Sequence, residues 1–186
     1  MDNKKDTTRL LLSQSLQNLM KVHPFEKITV KMITDGAGVI RPTFYNYFQD
    51  KYELIEWIFK TDIIDKISSM AKAGMHPECL KYFFILLEKN KDFYRKAFAI
   101  EGQNSFENIM LKHLCSLLLS VGISVPPSDE GKIRLLTPQT ISLYYALGVV
   151  NVIKAWLCYG DKSLSGEEVQ DAYGYLISYS VFDMLH

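Results

Sequence analysis

From Pro138 to about Tyr159 the chain has no polar face. Ile141, Leu143, Tyr144, Tyr145, Leu147, Val149, Val150, Val152, Ile153, Trp156 and Leu157 fall on every side of the helix they would form. A helix that is apolar all round has to be covered all round. It is therefore either the central helix of a bundle or half covered by its own chain and half by a second copy. Thr137-Pro138, an N-cap residue with proline at the first helical position, starts it. A neighbouring helix opens at Ser165-Gly166-Glu167-Glu168, a capping box, and strings Val169, Tyr173, Leu176, Ser180 and Met184 along one stripe. Two such helices make a self-complementary patch, which favours the second copy: a homodimer with Leu147, Gly148, Val152 and Leu176 in the contact, Gly148 allowing close approach.

The apolar stretch from Ile141 to Leu157 is interrupted by Ser142, Asn151 and Lys154 and is shorter than the ~20 residues a bilayer span needs. The N-terminus, MDNKKDTTR, lacks the apolar run of a secretory signal. Cys79, Cys115 and Cys158 are odd in number and far apart, so they form no disulfide framework. The expectation is a soluble, cytoplasmic chain with no membrane partner.

The fold class predicted is all-α. Helical period dominates elsewhere too, with no alternating strand pattern and no hairpin signal. With 186 residues, 48% hydrophobic and 23% charged, the chain belongs with globular domains that bury a real core. Asp6 is placed to cap a first helix bearing Leu12, Leu16 and Leu19. Thr29 caps a short one near Val30 to Asp35, and another runs from Arg41 or Pro42 to Phe48. Asp50-Lys51-Tyr52-Glu53 reads as a capping box opening a long helix that Gly74 stops. One helix is expected from Pro77 towards Phe98 and another over about Ser105 to Val121. Gly122 to Gly131, with Pro126 and Pro127, reads as a surface loop.

Enzymatic signatures are missing. There is no GxxxxGK[ST], HExxH or GxSxG, and Gly36-Ala37-Gly38 lacks the third glycine and the preceding strand of a dinucleotide site. His23, His76, His113 and His186 are scattered; His76 and Cys79 are three apart but have no further ligands. No catalytic residue, metal or cofactor is predicted.

Residues 28–51, ITVKMITDGAGVIRPTFYNYFQDK, carry the chemistry. Two short helices joined by a glycine-containing turn make a helix-turn-helix. Ile28, Ile33, Ala37, Val39, Phe44 and Phe48 pack it, while Arg41, Thr43, Tyr45, Asn46 and Tyr47 are left outward. A merely solvated face would carry Lys and Glu; four of these five are uncharged and none is acidic. Such side chains read base edges and phosphates. Residues 1–51 hold eight basic and five acidic side chains in a chain of zero net charge, which suits an anionic partner.

The run Ala37-Gly38-Val39, Thr43-Phe44-Tyr45-Asn46-Tyr47-Phe48, Lys51 and Leu54 resembles the TetR family of bacterial transcription regulators over about 55 residues. Phe93-Tyr94, Gly102 to Phe106 and Gly148 to Trp156 are similar to a subgroup of regulators of dihydroxyacetone kinase operons. The resemblance implies that Thr29, Val30 and Lys31 touch the DNA backbone, and that Arg41, Pro42, Thr43, Tyr45 and Tyr47 face the major groove and its phosphates, to which the outward face adds Asn46. It implies that Lys51 grips a phosphate. Ile40 stands where the family commonly has a capping Ser, so the recognition helix lacks a side-chain cap.

These readings combine into a DNA-binding domain (1–48) on a helical domain for dimerisation and ligand or partner binding (49–186). The expected function is binding of a palindromic double-stranded operator as a homodimer, with repression favoured over activation. The resemblance also suggests a small-molecule effector or a protein co-regulator. Phe93, Tyr94, Phe98, Gln103, Tyr144, Tyr145, Asn151 and Trp156 are the candidate effector residues. The competing reading is a helical interaction module without specific DNA binding.

Overall fold

The computed structural model describes residues 2–125, 133–161 and 163–185, with side chains from residue 6 onward. Among these residues the chain is helical and no β-strand occurs. The first helix, α1 (Asp2–Val22), buries Leu12, Leu16 and Met20 on one face, with Leu19 packed beside them. Asp6 does not cap it. Nothing in the polar run before Asp6 breaks a helix, so α1 starts at Asp2, and the Asp6 carboxylate lies 3.7 Å from Arg9, one turn on. A single 3₁₀ turn (Phe25–Lys27) leads into α2 (Val30–Ala37), and α3 (Arg41–Tyr45) follows.

α4 (Lys51–Phe59), a π turn (Lys60–Ile64) and α5 (Asp65–Lys72) form one continuous rod. Adjacent pairs are buried along it, Leu54 and Ile55, Ile58 and Phe59 in α4 and Ile63 and Ile64 in the π turn, so the rod is covered over a broad face. Gly74, with φ of 79°, ends the rod as expected. The single helix expected from Pro77 to Phe98 is two, α6 (His76–Lys89) and α7 (Lys91–Ala97), broken at Asn90. Asparagine competes with its own backbone for hydrogen bonds and favours such junctions over helix interiors.

Ser105 caps α8 (Phe106–Ser120) through the Asn108 N–H at 3.3 Å. Residues 126–131 of the expected 122–131 loop lie outside the described residues. Thr137 and Thr140 form a reciprocal cap on α9 (Pro138–Lys154), which a second π turn (Ala155–Tyr159) extends. The continuous helix is therefore 22 residues, with the bounds the sequence predicts; by length and composition it is long and apolar enough to cross a membrane, whereas the shorter apolar stretch Ile141 to Leu157 is not, and Ser142, Asn151 and Lys154 lie within it. Ser142 is buried and donates to the Gln139 carbonyl, and the Asn151 amide folds back on the Leu147 carbonyl. Ser165 and Glu168 cap α10 (Gly166–Ser178). The expected 165–184 stripe is interrupted: Tyr179 is extended and Ser180 caps a separate short helix, α11 (Val181–Met184). Serine hydrogen-bonds more readily as a cap than within a helix.

One core runs through the molecule. α8 packs along α9, α10 lies on α6, and α1 holds α2 and touches α7. The apolar-all-round helix is buried on one face only, through Ala146, Val149, Val150, Ile153, Trp156 and Leu157. Its other face exposes Leu143, Tyr144 (73%) and Leu147 (41%).

Candidate nucleic-acid interface

Local chemistry sets the helix-turn-helix. Thr29 Oγ1 accepts the Met32 N–H at 3.2 Å and starts α2. Gly38, at φ of 67°, takes the left-handed conformation that ends α2. Gly36 serves closeness instead: the buried Ser15 of α1 lies against its Cα and donates to the Ile33 carbonyl at 2.8 Å. Phe44 and Phe48 bury α3 on its inner side. Ile40 offers no side-chain cap, as the sequence indicated, and is 70% exposed.

Arg41, Pro42, Tyr45 and Asn46 are exposed on α3 and just beyond it, and Thr43 is half-buried. The Arg41 guanidinium donates to the Tyr45 hydroxyl at 3.0 and 3.3 Å, so the two side chains lie as one polar unit along the helix. Tyr47 differs from the others: half-buried, its ring lies 5.7 Å from the Arg9 guanidinium of α1. On α2, Thr29 and Lys31 are exposed and Val30 is half-buried. The Lys31 ammonium is 2.5 Å from Asp35, a surface pair of little energetic weight that a phosphate can replace.

Lys51, at the start of α4, is not free. Its ammonium donates to the carbonyls of Phe25, Glu26 and Ile28 at 2.7, 3.2 and 2.9 Å and lies 4.3 Å from the Phe25 ring. An ammonium has three protons, and all three are engaged. Desolvation depresses its pKa, against the raising influence of Glu26 and Asp50. The side chain therefore fastens the turn that leads into α2 onto α4. Asp50 accepts the N–H groups of Tyr52 and Glu53 at 2.8 and 2.9 Å, while Glu53 reaches back to the Gln49 N–H and not to Asp50 as the capping box predicts. Lys51→Met is expected to cost about 1–3 kcal/mol, because it strands three carbonyls in a partly buried turn. Calorimetric melting checks this, and an unchanged Tm would mean the ammonium is idle.

α4 is tied to the body through Glu56, which lies 2.9 Å from both Lys112 and His113 of α8. Burial pushes the Glu56 carboxyl up, but the hydrogen bonds and charges of these two partners outweigh it and leave the pKa below the ordinary value.

This head-and-body arrangement has known counterparts. Residues 17–58 match the model described as bacterial regulatory proteins of the tetR family, and residues 76–174 match its transcriptional-regulator C-terminal region. The chain belongs to the TetR family. The family is described as one of bacterial regulatory proteins, and both of its matched regions are those of transcriptional regulators. The HTH-type dhaKLM operon transcriptional activator DhaS of Lactococcus lactis subsp. lactis (strain IL1403) is 32% identical over 104 residues, covering 56% of this chain and 54% of that protein. The chain thus spans about half the length of the curated relative it matches. Among solved structures, a dihydroxyacetone kinase operon activator DhaS superposes with a TM-score of 0.61 at 22% identity, covering 92% of each chain. FadR of Thermus thermophilus, a TetR-family repressor solved with lauroyl-CoA, gives 0.58 at 16%, covering 91% of this chain and 93% of its own. These two likenesses concern the fold.

The eight candidate effector residues do not form one site. Phe93, Tyr94, Phe98 and Trp156 are core, Tyr94 stacking on Phe106 with ring centroids 5.7 Å apart. Burial raises the Tyr94 hydroxyl far above its ordinary pKa, assisted by nearby Asp62. Tyr144, Gln103 and Asn151 are exposed, and of the eight only Tyr145 borders the open apolar cavity of about 560 Å³ lined by α5, α6, α8, α9 and α10. Aromatic spacing selected the core, as it does for most helices. The cavity's true walls include Phe83, Leu114, Leu117 and Tyr173, whose pattern in the sequence is that of ordinary packing. Among the described residues no group of three or more His, Cys, Asp or Glu could hold a metal.

Proposed function

We propose that the protein is a homodimeric repressor that binds a palindromic operator, with residues 1–48 as the DNA-binding domain and 49–186 as the regulatory and dimerisation domain. The observation that carries this reading is the outward face of α3: Arg41 and Tyr45 joined as one polar unit beside Pro42, Thr43 and Asn46, with no carboxylate among them. Arg41 and Thr43 address base edges, and Tyr45, Tyr47, Lys31 and the α2 N-terminus from Thr29 and Val30 address phosphates. Lys51 contributes from behind. Its ammonium holds the turn, and its backbone N–H, in the first turn of α4 beside the two that Asp50 takes, serves a phosphate instead.

Such a dimer uses the open faces of α9 and α10, where Leu147, Gly148, Val152 and Leu176 lie with Leu143, Tyr144 and Tyr175. A methyl on Gly148 would meet the Tyr173 ring of the same chain at 3.9 Å, an ordinary contact, so the helix pair is already close there. The apolar cavity suits an effector with an apolar body. DhaS is by name an activator and FadR a repressor, so the sign of regulation does not travel with the fold. Repression is the reading adopted because occluding a promoter requires only tight binding, whereas activation requires a further surface. A DNA-bound regulator acts in the cytoplasm.

The test is fluorescence anisotropy with operator and scrambled duplexes, the operator taken from inverted repeats beside the gene, at several salt concentrations. Arg41→Ala should alter preference among operator variants by ~1–3 kcal/mol. Tyr45→Phe releases Arg41 and should lower affinity for all duplexes alike. Lys31→Ala should reduce the salt slope by ~0.9 for each phosphate it no longer neutralises, about two per dimer. Uniform weakening by Arg41→Ala, with no change in base preference, would place base reading elsewhere.

A further inference from the structure

A second cavity, of about 480 Å³, opens where the last turn of α1 meets the α6–α7 bend and the π turn after α9. It is separate from the apolar cavity and differs from it in chemistry. Its floor is apolar, made by Met20, Phe93, Trp156 and Leu157, all buried residues whose edges line the space. Its rim is charged: Lys21, Lys89, Lys91, Arg95 and Lys96 face two carboxylates, Glu88 and Asp92. In a chain of zero net charge this is a local excess of three positive charges.

Carboxylates at and near the rim offset part of that charge. Arg95 pairs with Asp92 at 2.8 Å. Lys96 donates to the carbonyls of Met20 and Lys21 at 2.8 and 2.6 Å. Lys91 donates to the Leu164 carbonyl at 3.0 Å and lies 4.7 Å from the Trp156 ring, within the field of Asp161. For Lys96 the carbonyls satisfy the protons but leave the charge. Lys21 meets the neutral Asn18 amide. Lys89 feels Asp62, which Gln17, another wall residue, holds by a hydrogen bond. The volume falls within the ~300–1,000 Å³ of sites that enclose small ligands, and an apolar floor under a cationic rim selects a molecule with both characters.

We propose that this cavity binds a small organic anion, an apolar or aromatic body bearing a carboxylate or phosphate, with the body on the Trp156–Leu157 floor and the anion between Lys21 and Lys89. The site joins the two domains. Lys96 of α7 grips the last carbonyls of α1, so an occupant fixes α1, and with it the helix-turn-helix, against the body. The inference stands independently of the operator reading.

The probe is phenyl phosphate, titrated into ¹⁵N-labelled full-length protein, with phenol and inorganic phosphate as controls. The chain has two tryptophans, Trp57 and Trp156, and Trp57→Phe assigns their indole N–H signals. Phenyl phosphate should move the Trp156 signal saturably and leave that of Trp57 in place. Phenol and inorganic phosphate should each need about tenfold higher concentration. The exposed double substitution Lys21→Glu/Lys89→Glu should raise the Kd about tenfold or more at an unchanged melting temperature. Three results would overturn the proposal: no shift of Trp156 up to about 10 mM, equal response to phenol, or equal affinity in the double variant.

Discussion

Leu147→Glu is expected to give a folded monomer that no longer binds its operator. Leu147 is 41% exposed in the single chain, so a carboxylate there can reach water and the protomer should melt near the parent temperature. In a dimer formed through α9 and α10 the same carboxylate would be desolvated against Leu143, Tyr144 and Leu176 of either copy, at a cost of several kcal/mol. The exposed apolar side chains extend beyond α10 to Val181 (63%) and Phe182 (80%), a larger area than a monomer ordinarily leaves to water. An obligate interface of this kind should bury on the order of 2,000 Å² or more. Without it the second half-site is no longer engaged, and operator binding should weaken by about 10²–10⁴-fold. Sedimentation equilibrium with circular dichroism separates the outcomes. A parent protein that is already a monomer at micromolar concentration would refute the dimer, and the palindrome with it.

The next largest effect is expected at Gly36. A methyl group there would collide with the Ser15 hydroxyl of α1, which is buried and committed to the Ile33 carbonyl. Gly36→Ala should therefore destabilise the protein by about 1–3 kcal/mol through overpacking. It should also displace α2 and α3 from α1 and lower DNA affinity beyond what stability explains. Removing the hydroxyl relieves the collision, since the Ser15 Cβ is 3.4 Å from the built methyl. The double variant Ser15→Ala/Gly36→Ala should then be more stable than Gly36→Ala alone, a coupling read from a thermal-melting cycle. Additive effects would mean that the two helices have room to spare.

Helix existence and most helix starts were legible because they rest on short-range chemistry. Thr29, Asp50, Ser105, Thr137 and Ser165 each accept the N–H groups that their positions promise. The Asn90 and Tyr179 breaks and both π turns were not legible, because apolar spacing continues through them and only packing against other helices decides. The partners of Lys51 were not legible for a related reason. Sequence placed the cation correctly at the start of α4, but its acceptors are carbonyls some 25 residues earlier, brought near by the fold alone. The eight candidate effector residues are spread over the core, the surface and more than one cavity, because an aromatic side chain in a wall and one in a core have the same spacing in the sequence.

The rod formed by α4, the π turn and α5 makes the molecule a lever. Its 22 residues, 51–72, span about 33 Å at 1.5 Å each. At one end Lys51 holds the carbonyls of the turn before α2; at the other Ile67 and Ala71 border the apolar cavity. Tilting such an arm by about 5° at the cavity displaces the far end by about 3 Å. In the two-fold dimer proposed above both arms would swing, so the distance between the reading heads would change by up to twice that. Successive major grooves on one face of DNA recur every ~34 Å. A filled cavity too small to alter any DNA contact directly can thus put two well-formed recognition helices out of step with the double helix.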